Sequence, residues 1–78
     1  METLQVLEEL RVIDPVCEQI AIDILDINHA FERGEISAEE RNHLLAEIRD
    51  IRVANDLAGN EIAVRYACQA IELILGVV

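Results

Sequence analysis

The chain contains no lysine and no tryptophan, a single phenylalanine, Phe31, and a single tyrosine, Tyr66. So few aromatics exclude a base-stacking platform, which needs several. The absence of lysine leaves six arginines against sixteen acids, a net charge of −10. Phosphate recognition requires positive surface, so direct nucleic-acid binding is excluded as well. Glycine is scarce, and no Gly-rich phosphate loop occurs. Ser37 is the only serine and serves better as a helix cap than as a nucleophile, and Thr3 and Tyr66 lack neighbours to activate them. No enzyme and no cofactor is expected.

Two further absences bear on setting. Cys17 and Cys68 are the only cysteines, in apolar contexts on different helices, and read as buried free thiols. The first residues carry Glu2, Glu8 and Glu9 in place of a basic leader. The most apolar segment, Ile62 to Val78, holds Arg65, Gln69 and Glu72, too short and polar a run to span a bilayer. A cytoplasmic location without membrane contact is expected.

What is present is apolar surface and acid. Apolar residues make up 53% of only 78 positions, and a chain this short has little interior in which to hide them. Association with a second copy would cover the excess. Residues 1–40 hold eleven acids against Arg11 and Arg33, a balance of −9; residues 41–78 hold five against four arginines, a balance of −1. The first half therefore presents an acidic face, either solvated or directed at a basic partner. Asp23, Asp26, Glu32, Glu35 and Glu39 are its candidate residues.

The apolar spacing is helical throughout. A short helix is expected over about residues 3–13, from Leu4, Val6, Leu7, Leu10 and Ile13. Asp14-Pro15 interrupts it and starts the next, with Asp14 as N-cap and Pro15 in the first turn. That second helix is expected over about 15–33, on a stripe of Val16, Ile20, Ile24, Ile27 and Phe31 widened by Cys17, Ala21 and Leu25. Gly34 suits the left-handed end of a helix, and Ser37 with Glu40 forms a capping box. The third helix is expected over about 38–58, with Leu44, Leu45, Ile48, Ile51 and Leu57 inward. Gly59-Asn60 ends it and opens a fourth over about 61–75. The fold class is all-α: a helical hairpin with short flanking helices, a three- or four-helix bundle in one domain, 1–78.

The last helix is apolar nearly all round, with Glu61, Arg65, Gln69 and Glu72 on one narrow face. Three short helices cannot surround such an element, so oligomerisation is expected to complete the bundle. Ile62, Tyr66, Ile71, Leu73 and Leu75 are the candidate interface.

One arrangement suggests metal chemistry. Asp26 and His29 lie one turn apart before the corner, and Glu40 and His43 one turn apart after it. Carboxylate–x–x–His pairs on neighbouring helices are the pattern of di-iron bundles. Further inward carboxylates are lacking, Glu40 is needed as a cap and Asp26 lies on a polar face. No metal site is expected.

The run Ala30-Phe31-Glu32-Arg33-Gly34-Glu35-Ile36-Ser37-Ala38-Glu39-Glu40, with Leu44-Leu45-Ala46-Glu47-Ile48 after it, resembles the corner of small helical proteins of tailed bacteriophages. It also resembles a short helical oligomerisation module found at the C-termini of bacterial proteins, a lysine-rich module where this chain has none. The closing Leu73-Ile74-Leu75-Gly76-Val77-Val78 extends the phage resemblance, which implies virion assembly or host interaction and carries over no catalytic residue. The expected function is protein–protein association by a small, acidic, oligomeric protein whose partners are itself and a basic or virion protein. Two other classes remain open: an acidic nucleic-acid mimic that inhibits a basic host protein, and a carboxylate/His metal-binding bundle.

Overall fold

In the computed structural model, which describes residues 2–76, every helix after the first begins at a side-chain cap. Helix α1 spans Glu2–Arg11, α2 Pro15–Glu32, and α3 Ala38–Glu47. A π-helical stretch, Ile48–Val53, and a last turn, Ala54–Asp56, continue α3, and α4 spans Glu61–Leu75. No strand occurs among the described residues. Val77 and Val78, the end of the run with the phage resemblance, lie outside them.

The boundaries follow local chemistry. Asp14 is extended, as a residue before proline prefers, and its Oδ1 accepts the Cys17 amide at 2.8 Å. That conformation ends α1 at Arg11, two residues short of the expected Ile13, and leaves Val12 and Ile13 in a turn. At the corner, Gly34 adopts φ 76°, its amide donates to the Phe31 carbonyl, and the Glu35 amide reaches back to Ala30. These two bonds form a Schellman motif, which side chains with a Cβ resist at the glycine position. Ser37 Oγ accepts the Glu40 amide and Glu40 Oε1 accepts the Ser37 amide, each at 3.1 Å. The Arg41 guanidinium lies 4.3 Å from the Phe31 ring centroid and ties the two limbs beside the turn. Asn60 caps α4 through the Ala63 amide at 3.1 Å.

The core is wholly apolar among the described residues and contains no aromatic side chain. On α2 it takes Cys17, Ile20, Ala21 and Ile24, one residue round from the expected stripe; Val16 is 46% exposed and Phe31 only partly buried. On α4 it takes Ala63, Ala67, Ala70 and Ile71. The three alanines lie at i, i+4 and i+7, so one face of α4 is flat and lets another helix approach closely. α1 occupies that face, with Val6, Leu7 and Leu10 buried.

Two expectations are refined here. α1 covers much of the last helix, which the expected dimer was meant to cover. The accessible surface is 4903 Å², close to the roughly 4,800 Å² of a folded monomer of this mass. The radius of gyration, 11.5 Å, is likewise about that of a single chain packed on itself. α1 thus buries one side of α4, while Ile62 on another side stays 63% exposed.

The second change concerns α3. Leu45, Ile48, Val53 and Leu57 are buried, whereas Leu44 and Ile51, expected inside, are 37% and 54% exposed. The step from Ile48 to Val53 is five residues, the repeat of a π-turn. A regular α-helix continuing the Leu45–Ile48 face would bring Arg52 inward. The π-helical stretch brings Val53 in instead, and turns Ile51 out.

Candidate functional site

Turning Leu44 and Ile51 outward opens a groove between α2 and the continuation of α3, with a volume of about 460 Å³. Ile27, Leu44, Ile48 and Ile51 form its apolar floor; Asp23, Asp26, Glu47 and Arg52 stand at its rim. A second hollow of about 450 Å³ adjoins it across Leu44, bordered by Glu39, Glu40 and His43. Together they form one surface along α3, apolar in the middle and acidic at the edges.

The rim charges differ in what they already hold. Arg52 pairs with Asp23 across the groove and lies 3.9 Å from Asp56, so it locks α2 to the π-helical stretch. Glu47 lies 3.6 Å from the exposed His43 imidazole. Asp26 is exposed and has no ion pair among the described residues.

Of the five acids expected to share a partner face, three border this surface and two do not. Asp23 and Asp26 border the groove and Glu39 the adjoining hollow. Glu32 borders a different hollow with Leu4, His29 and Ile74. The reason is geometric: nine residues at 100° each put Glu32 half a turn from Asp23. Glu35 is taken by Arg33 in a forked pair at 2.9 and 3.2 Å, which holds its carboxyl below the usual range. A phosphate-like row along one surface does not form.

The interface expected on α4 also divides. Ile71 is fully buried in the chain's own core and is withdrawn from any interface. Leu75 is partly buried on a separate side of the helix. Ile62, 63% exposed, shares a face with the partly buried Tyr66 and Leu73, spaced at i, i+4 and i+11.

The carboxylate–histidine pairs do not converge either. Asp26 borders the groove while His29 borders the hollow with Glu32. Glu40 is engaged in the capping box. Among the described residues, no three His, Cys, Asp or Glu side chains gather as metal ligands would. The Cys17 thiol is pushed up to about 11 by burial, then by its hydrogen bond and the charge of Asp14; burial and Glu72 push Cys68 up as well. Neither thiol is poised as a nucleophile at neutral pH. No described helix is long and apolar enough to cross a membrane.

Leu44, Glu47, Ile51 and Arg52 were therefore missed as site residues. The available signal was the five-residue step between inward positions, which regular helical spacing does not accommodate. Comparison with protein-family models, curated proteins and solved structures finds no match to the chain.

Proposed function

We propose that the chain is a non-catalytic protein-association module whose contact surface is the groove between α2 and α3. The observation that carries this reading is that the exposed Leu44 and Ile51 gather with Ile27 and Ile48 in one concave groove. Apolar side chains gathered in a concave surface and rimmed by charge are the usual make-up of a protein contact site. The likeness of the hairpin corner to tailed-bacteriophage proteins supplies the setting, virion assembly or host interaction. The test is retention of partners from the native host by wild type and by the Leu44→Ser/Ile51→Ser variant. A protein held by the wild type and lost by the variant, with melting temperature and helicity unchanged, is expected. Equal retention by both would contradict the reading.

A second reading rests on a separate observation, the Ile62–Tyr66–Leu73 face of α4. A two-fold dimer through that face would cover Ile62. Leu73→Asp would then dissociate it in sedimentation, whereas a wild-type monomer at micromolar concentration would remove this reading and leave the groove untouched.

A further inference from the structure

We infer that the groove's occupant is a basic amphipathic helix of another protein, an inference that rests on the groove being a contact surface at all. Leu44, Ile48 and Ile51 lie along one side of the groove and cover about 10 Å at helical rise. Apolar side chains at i, i+4 and i+7 of a docked helix span the same length, and helix-in-groove recognition is built on such anchors. The π-helical stretch, a feature often found at functional sites, carries Ile51.

Charge decides between a second copy and another protein. At the rim, Arg52 is held by Asp23 and Asp56, so the remaining rim charge is that of Asp26 and Glu47. Glu39 and Glu40 extend it along α3. Groove-to-groove pairing of two copies about a two-fold axis would set these carboxylates against themselves. The chain has little positive charge to offer in another arrangement. Arg11, Arg33, Arg49 and Arg52 are ion-paired, and Arg41 is stacked on Phe31 and bonded to Asn42. Arg65 is the one arginine without such a partner among the described residues. A chain of net charge −10 is thus a poor ligand for its own groove. A helix with lysine or arginine beside its apolar anchors matches floor and rim together.

The experiment uses the full chain and synthetic amphipathic helical peptides with leucine at i, i+4 and i+7. Lysine, glutamine or glutamate occupies the flanking positions, and a fourth peptide scrambles the lysine version so that the anchors no longer share a face. Binding is followed by fluorescence anisotropy and by NMR shifts of the Ile and Leu methyls. The lysine peptide should move Ile27, Leu44 and Ile51 and bind at least about tenfold tighter than the glutamine peptide. Its affinity should fall several-fold between about 50 and 300 mM salt. Asp26→Asn/Glu47→Gln should remove most of the advantage of lysine over glutamine. If glutamine or glutamate peptides bind the groove as tightly, the groove remains a contact surface and the basic partner is overturned. If the scrambled lysine peptide binds equally, the attraction is diffuse charge and the inference fails. If no peptide moves the groove methyls, the inference and the proposed function both fail.

Discussion

α2 and α3 leave the same corner, yet they keep their apolar residues in different ways. Along α2, Cys17, Ile20, Ala21 and Ile24 repeat at the spacing of a regular helix, and all four are buried. Along α3 the inward set is Leu45, Ile48, Val53 and Leu57, with a five-residue step in the middle. A regular helix cannot hold that step on one face, so the backbone widens to a π-helical stretch over Ile48–Val53. The regular limb builds core with its four buried residues and lends Asp23, Asp26 and Ile27 to the groove. The irregular limb keeps Val53 and Leu57 inside, leaves Ile51 outside with Leu44 of the preceding regular turns, and borders the groove.

The largest expected effect sets one limb against the other. Ile24→Ala removes a fully buried side chain from α2 and should destabilise by about 2–5 kcal/mol in urea unfolding. Ile51→Ala, on the irregular limb, should cost under about 0.5 kcal/mol. Similar losses at both positions would erase the distinction between the limbs.

The corner that both limbs share comes next. Gly34 sits at φ 76° with open space where a Cβ would lie, so a substitution there meets backbone preference and not a clash. Gly34→Val should cost about 1–2 kcal/mol. Ser37→Ala should cost about 1 kcal/mol by removing half of the capping box. Neutral results for both in a melting series would mean that the corner does not set the geometry of the limbs.

Deleting Asp50 sharpens the comparison with less effect on stability. The deletion shortens the Ile48-to-Val53 step to four residues and lets α3 run as a regular helix with the same inward side chains. Stability should change by no more than about 1 kcal/mol, while binding of a groove-directed peptide should be lost. Full retention of that binding would separate the groove from the π-helical stretch.

The smallest effect is a pH dependence at the start of α2. The Cys17 amide, donating to Asp14, holds the carboxyl below its ordinary value of 3.8. A depressed folded-state pKa stabilises above the unfolded value and is lost as pH falls through the folded one. Asp14→Asn keeps a cap without titrating. It should therefore flatten the acid limb of a melting-temperature profile between about pH 5 and pH 2. An unchanged acid limb would remove Asp14 from the account.

The legible parts of the fold were those fixed by neighbours in sequence. Asp14-Pro15, Gly34, Ser37 with Glu40 and Asn60 each act within a few residues, so the all-helical class and the starts of α2, α3 and α4 could be read directly. What depends on another element could not. The alanines of α4 read as a modest part of an apolar circumference, and their role as a flat seat for α1 appears only when α1 lies there. Ile71 read as interface because nothing local says which side of α4 that seat occupies. Asp23 and Glu32 read as neighbours in an acidic row, although the helix sets them half a turn apart. Of the site, only Asp23 and Asp26 in the groove and Glu39 in the adjoining hollow were singled out in advance as partner-face residues. Ile51 was placed inside because regular spacing was assumed across a segment where Arg49, Asp50 and Arg52 leave no regular inward path, and Leu44 because nothing local says that the helix turns Leu45 inward in its place.

The most direct measurement is the accessibility of the α3 methyl groups to a soluble paramagnetic probe in NMR. The account predicts strong broadening of Leu44 and Ile51 and protection of Val53 and Leu57. Protection of Ile51 together with broadening of Val53 would contradict it, because α3 would then be a regular helix and the groove would not exist.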